Sequence, residues 1–371
     1  MQYSTITDKE KHTKADISEF CIEGGVSEYQ VVIQITETTL SFSEQLSSIF
    51  FSFDKLCNNE FRDTTIVFQR FFLSDAANQS GLLLKYLPEN KNNISIIEQP
   101  PLNGTKITLW AYLLKRTHHN EKYNHLWKCM AISPKGNSES QMRTLLNDYI
   151  EQLKKHNCTL FDNCIRTWIF VQNVDANYAG IVKARKEVFA ENGLTENTHF
   201  IASTGIDGRH NDKDALVVFD SYAIEGIQEE QIQYLYAKTH LSPTHKYGVT
   251  FERGTCVHYG DRRHVFISGT ASINDEGDIL YEGDIEKQAK RMIENVEALI
   301  IEAESGFEDI AQMIIYLRDI ADYHTAKNII EKRFPSTPKV IALAPVCRPG
   351  WLIEMECIAV KENKDDRFEP L

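Results

Sequence analysis

The sequence contains no run approaching roughly 18 apolar residues, so no segment reads as a membrane span. It has no glycine-rich phosphate loop and no dinucleotide fingerprint, and no cofactor is expected. Its eight cysteines never form a C-x-x-C pair. A zinc site is therefore not indicated, and the expectation is reduced thiols in a cytoplasmic protein. Positive charge is short: 40 Lys and Arg stand against 53 Asp and Glu, for a net charge of −13. Such a chain lacks overall attraction to phosphate, so neither nucleic acid nor an anionic membrane is an expected partner. The N-terminal MQYSTITDKEKHTK lacks the apolar core of a signal peptide. Residues 1–15 and 364–371 read as polar tails.

What is present is an ordinary globular composition, 42% hydrophobic and 25% charged over 371 residues, enough for two or three domains. Three segments carry helical apolar spacing. They are Leu46, Ile49, Phe50, Phe53 and Leu56; then Met142, Leu145, Leu146, Tyr149, Ile150 and Leu153; then Ala289, Met292, Ile293, Val296, Leu299, Ile300 and Ala303. Each precedes a strand-like run: TTIVFQRFFL (64–73), CIRTWIFVQ (164–172) and MIIYLR (313–318). The stretches LSDAANQ, NVDANY and LRDIADY follow, each with an Asp or Asn suited to start a helix.

Two further strands complete each copy. The first is ISIIE (94–98), HFIAS (199–203) or KVIAL (339–343); the second is KITLWAYLL (106–114), LVVFDSYAI (216–224) or LIEMECIAV (352–360). YQVVIQI (29–35), HLWKCMAI (125–132) and a hairpin-like HVFISGTASI–DEGDILYEGD (264–284) stand ahead of the copies. The expected fold is α+β: mixed sheets with two helices on one face, the bare faces buried against one another in a pseudo-threefold ring within one chain. The expected divisions are 16–116, 117–227 and 245–363, with linkers at 115–122 and 226–244.

Aligned by pattern, the last strands place Thr108, Val218 and Glu354 at one position, and Trp110, Asp220 and Glu356 at the next on the same face. Ser74, Gln172 and Arg318 correspond in the strand before. Only the third copy combines Glu with Arg, so one working cleft is expected. Two carboxylates on an otherwise apolar strand suit a buried site, where desolvation and a like charge raise the pKa of one of them. Glu354 is the candidate acid or base; the alternative is an ion pair with Arg348 or Arg318. Those two arginines and Arg253 are candidates to grip a carboxylate, as a planar fork of donors does. Ser268, Gly269 and Thr270 form either a ligand-contacting turn or a bulge in a twisted hairpin. Cys347 reads as a cleft wall rather than a nucleophile, and Tyr247 as a cleft-closing hydroxyl or core packing. His118, His119, His125 and the stretch DGRHNDKD (207–214) read as solvated rather than metal-binding.

FISGTASINDEGDILYEGDIEKQ, NVEALI, YLRDIADY and APVCRPGWLIEMECIAV resemble the RidA/YjgF superfamily, older label endoribonuclease L-PSP, over residues 247–362. That family folds as a chorismate-mutase-like domain, trimerises and keeps small-molecule sites between subunits. The resemblance therefore implies three tandem RidA-like domains forming the trimer internally. YGVTFER (247–253), SGTASI, YLRD and VCRPGWLIE (346–354), with RTW, RKEVF and STGI in the second copy, resemble the chorismatase branch. Chorismatases release the enolpyruvyl group of chorismate as pyruvate, and their acidic glutamate matches Glu354; Cys347 and Arg348 match as well. In other respects the chain departs from both groups. Pro338 and Lys339 stand where RidA deaminases carry an arginine, NDEGDILYE replaces a histidine-bearing loop, and Ile169 replaces an asparagine. The expected activity is that of a cofactor-independent enzyme on a small carboxylate, releasing pyruvate. Imine or enamine hydrolysis, a non-catalytic ligand sensor or scaffold, and endoribonuclease activity are the alternatives.

Overall fold

The protein is described by a computed structural model covering residues 1–116 and 122–371. The first sheet contains β1 (Gln2–Asp8), β2 (Thr13–Phe20), β3 (Ser27–Ile35), β4 (Thr65–Leu73), β5 (Ile94–Glu98) and β6 (Ile107–Lys115), in the order β1-β2-β3-β6-β4-β5. The second contains β7 (Asn124–Ile132), β8 (Cys164–Val171), β9 (Ala202–Asp207) and β10 (Val217–Glu225), ordered β7-β10-β8-β9. The third contains β11 (Ile232–Leu235), β12 (Gly254–His258), β13 (Arg262–Ala271), β14 (Ile310–Leu317), β15 (Lys339–Leu343) and β16 (Ile353–Glu362), ordered β11-β12-β13-β16-β14-β15. The first and third sheets thus share one order, and the second lacks the two outer strands. β4/β5, β8/β9 and β14/β15 are parallel pairs, each needing a helical crossover.

The apolar periodicities become α1 (Phe42–Asn59), α3 (Ser138–Lys154) and α6 (Ile285–Glu302), whose periodic residues are largely buried against their sheets. The crossover helices are α2 (Ala76–Leu83), α5 (Val174–Glu191) and α7 (Tyr323–Arg333); a single turn, α4 (Leu160–Asn163), leads into β8. Asp75 caps α2 by accepting from the Asn78 N–H. Asp319 caps a short 3-10 turn before α7. Asn173 precedes α5 in the left-handed region and bonds through backbone alone, so Asp175 sits inside the helix's first turn.

The pairing registers match across the sheets. Thr108 lies opposite Phe72, Val218 opposite Phe170 and Glu354 opposite Tyr316. The N–H groups of Ser74, Gln172 and Arg318 donate to the carbonyls of Lys106, Leu216 and Leu352. The strand alignment made from pattern is therefore the alignment of the hydrogen-bond ladders.

Several expectations need correction. Residues 1–15 are no tail: β1 and β2 form a hairpin on the edge of the first sheet, where Tyr3 donates to the Ile310 carbonyl. Residues 226–244 are more than a linker, because they contain β11, which pairs with β12. The third unit thus begins before 245. DEGDILYEGD forms no strand; only the bridge Ile273–Ile279 occurs. There the Asn274 side chain accepts from the N–H groups of Glu276 and Asp278 and curls the chain into a turn. Residues 364–371 fold back, Gly260 N–H donating to Glu369 and Leu371 ending buried. Strand β9 starts at Ala202, later than HFIAS suggested. His118 and His119 lie outside the described residues. His125 is not solvated: it is held by the Tyr222 hydroxyl, and burial pushes its pKa down to about 3.

The sheets meet pairwise. Gln34 Nε2 donates to the Lys339 carbonyl, Glu98 and Arg209 exchange backbone bonds, and Glu252 N–H donates to Ile201. Between the sheets lies a continuous apolar core that includes Phe68, Trp110, Trp168, Tyr222 and Phe266. No helix among the described residues is long and apolar enough to cross a membrane.

Candidate active site

A cavity of about 320 Å³ opens where β13 and β16 of the third sheet face β9 and α5 of the second. Its wall includes Glu354, Gly269, Tyr247, Arg253, Cys347 and Arg348 from the third unit. Tyr178, Arg185, Ser203 and Gly205 come from the second.

Alternation along β16 aims Glu354 and Glu356 to the same side, away from α6. Both are nearly fully buried. Burial, then the charge of Glu356, pushes the Glu354 pKa up to about 8, against the opposing pull of Arg166 and Arg253. Glu354 pairs with neither of the arginines considered for it. No described side chain hydrogen-bonds its carboxyl, so both oxygens remain for a cavity occupant. Close approach is possible because the residue beneath is glycine: Gly269 leaves no room for a side chain. The β13 ladder shifts register between Ile267 and Thr270, so SGT is a bulge, and the bulge is also the floor of the cavity.

Cationic groups surround the cavity. Arg253 donates to the Ser242 carbonyl and keeps a buried Nε–H without a partner. Arg348 donates to the Gly277 carbonyl and lies over the Tyr247 and Trp351 rings. Arg185 donates to Thr250 Oγ1 and leaves one Nη buried and unpartnered. Buried unpaired donors are costly, and an anion in the cavity would satisfy them. The Tyr247 hydroxyl is likewise buried without a partner, and burial raises its pKa. The Cys347 thiol is pushed up to about 12 by burial and the Glu354 charge, as suits a protonated wall residue.

Not every candidate reaches this cavity. Ser268 Oγ donates to the Glu252 carbonyl and accepts from the Ser203 N–H of the second sheet, and Thr270 Oγ1 donates to the Ser268 carbonyl. Arg318 lies outside the lining, with a bidentate pair to Asp175 and a bond to the Val346 carbonyl. Lys339 lies toward the first sheet, where the Asp16 charge favours its ammonium and burial opposes it. Its register counterpart, Ser203, is the residue that faces Glu354's cavity. Arg185 and Tyr178 were missed as site residues. They lie on a helix of another unit, and the available signal was the resemblance of the RKEVF run, which begins with Arg185, to the chorismatase branch. Among the described residues, no group of three His, Cys, Asp or Glu side chains could hold a metal.

Residues 255–361 match the family model described as Endoribonuclease L-PSP. A RutC family protein of Pyrococcus abyssi is 35% identical over 100 residues, covering 26% of this chain and 79% of that protein. A 3-hydroxybenzoate synthase of Streptomyces hygroscopicus is 24% identical over 224 residues, 54% of this chain and 64% of that protein. The crystal structure of a chorismatase superposes with a TM-score of 0.63 at 15% identity, over 80% of this chain and 93% of that one, which shows a shared fold.

Proposed function

The chain belongs to the RidA/YjgF (RutC) family, and on that premise we propose a chorismatase-like enzyme that releases pyruvate from an enolpyruvyl carboxylate in the cavity at Glu354. The observation that carries this reading is a carboxyl with a pKa near 8, free of protein hydrogen bonds, set among three guanidinium groups that retain bonding capacity. An enol ether is inert until its methylene carbon is protonated, and a general acid serves best when still protonated at the working pH. The Glu354 proton goes to that carbon, and water adds to the resulting cation. The proton that water loses returns to the Glu354 carboxylate. The hemiketal C–O bond then breaks, giving pyruvate and the ring alcohol. Arg185, Arg253 and Arg348 hold the substrate's carboxylates and orient its methylene carbon to the acid.

The same reading makes the three sheets three RidA-like units arranged as an internal trimer. Shared strand order, matched registers and the equivalent Ser74, Gln172 and Arg318 backbone bonds support it. At the two positions equivalent to Glu354 stand Thr108, with a buried unpaired hydroxyl, and Val218, so among the three last strands β16 alone carries an acid at that position.

Purified protein offered chorismate tests this, wild type beside Glu354→Gln. Pyruvate formation that disappears in the variant is expected. Ammonia release from freshly generated 2-imino acids, with no pyruvate from chorismate, would replace this reading with imine hydrolysis. Neither product, together with thermal stabilisation by a carboxylate ligand, would make the protein a sensor.

A further inference from the structure

Glu356 shares a strand face with Glu354 but does not line the cavity. Its surroundings are unusual in chemistry. Oε1 accepts from the Trp168 indole N–H at 2.9 Å, and Oε2 accepts from Arg166 Nη2 at 2.7 Å. Both are groups that can only donate. The third partner, the Thr204 hydroxyl, can donate or accept, but the structure removes the choice. Thr204 Oγ1 accepts from the Gly269 N–H at 2.9 Å and from Arg166, so its single proton must point to Glu356. Every neighbour of Glu356 therefore presents hydrogen, and a proton on either oxygen would meet a donor. Arg70 of the first sheet adds positive charge at 3.9 Å. Glu356 is consequently the ionised member of the pair, on geometry alone.

We infer that Glu356 is a positioning residue: clamped as an anion by Arg166, Trp168 and Thr204 of the second sheet, it makes Glu354 the proton-carrying carboxyl and aims it into the cavity. Thr204 serves both halves of the device, since the N–H it holds belongs to Gly269, the residue packed against Glu354. The acid is thus set by the second unit although it stands on the third. This inference rests on the reading of Glu354 as the acid and adds its control. The other charged or titratable groups facing Glu354 or its cavity are Arg166 on β8, Tyr178 and Arg185 on α5, Tyr247 and Arg253 before β12, Tyr316 on β14, and Cys347 and Arg348 before β16. The four hydroxyl and thiol groups have raised pKa values, so Glu356 is the resident negative charge among these neighbours.

The test is an infrared titration of ligand-free protein. The band of a protonated carboxylic acid that is absent from Glu354→Gln reports Glu354 directly, with no substrate needed. In wild type this band should persist at pH 7. In Glu356→Gln its midpoint should fall by at least about one pH unit, because a like charge has been removed. Glu356→Asp should retain most of the shift. Thr204→Val, which keeps shape and removes the hydroxyl, should give a smaller fall and serves if Glu356→Gln does not fold. In enzymatic assays kcat should fall toward higher pH with little change in KM. A midpoint unmoved in both Glu356→Gln and Thr204→Val, or no such band in wild type, overturns the inference. If the midpoint moves but chorismate is not turned over, the proposed reaction fails and the control of Glu354 stands.

Discussion

A β-carbon built on Gly269 would stand 2.1 Å from Glu354 Oε1, closer than any real contact of that kind. The glycine is therefore required by the carboxyl above it, and its backbone lies outside the left-handed region, so space alone decides. Gly269→Ala should push the Glu354 carboxyl out of place while leaving the bulge intact. Loss of kcat by about 100-fold or more, with stability lowered by about 1–3 kcal/mol, is the expected result of overpacking a precisely set acid. Steady-state kinetics beside a urea melt measures both.

Arg185 holds an unpartnered Nη in the cavity wall, beside the apolar Val182 and Phe251. If it binds a substrate carboxylate, Arg185→Met keeps the bulk and removes the donors. A charged hydrogen bond of about 1.5–3 kcal/mol then vanishes, and kcat/KM should fall about 10- to 100-fold, chiefly through KM. An unchanged KM would remove Arg185 from the binding site.

Far from the cavity, Glu28 on β3 accepts from Arg262 Nη1 at 2.6 Å, His264 Nε2 at 2.8 Å and the Tyr112 hydroxyl at 2.7 Å. The cluster ties the first sheet to the third. Burial works against the Glu28 charge, yet His264 and Arg262, with the hydrogen bonds, hold its pKa well below the usual carboxylate range. The folded-state pKa is depressed, so this stability is present above the ordinary carboxylate pKa and is lost as pH falls through the folded value. Glu28→Gln should cost about 3–5 kcal/mol near pH 7, the usual penalty for stranding a buried charge, and should flatten the acid side of the stability profile. Chemical denaturation at a series of pH values below 7 checks both parts.

Much of this architecture was legible in the chain because local physics sets it. The 3.6-residue periodicity of Leu46 to Leu56, of Met142 to Leu153 and of Ala289 to Ala303 can be buried only as helices against a sheet. Alternation in LIEMECIAV put Glu354 and Glu356 on one face before any neighbour was known. Polar MQYSTITD gave no such signal, since β1 is an edge strand with exposed residues on both faces, stabilised by pairing with β2.

Sequence by itself determined the three helical periodicities, the strand runs that follow them and the one position where Glu354 stands against Thr108 and Val218. Only the tertiary structure decided which unit supplies the opposite wall. Arg185 and Ser203 line the Glu354 cavity, and Thr204 holds the Gly269 N–H beneath it, through contacts that no local pattern encodes. The structure likewise separated the two glutamates. Arg318 was drawn off to Asp175, and Arg166 of the RTW run in the second sheet took Glu356. Charge state in a buried pair depends on which donors are packed against each oxygen, and packing is a property of the folded chain.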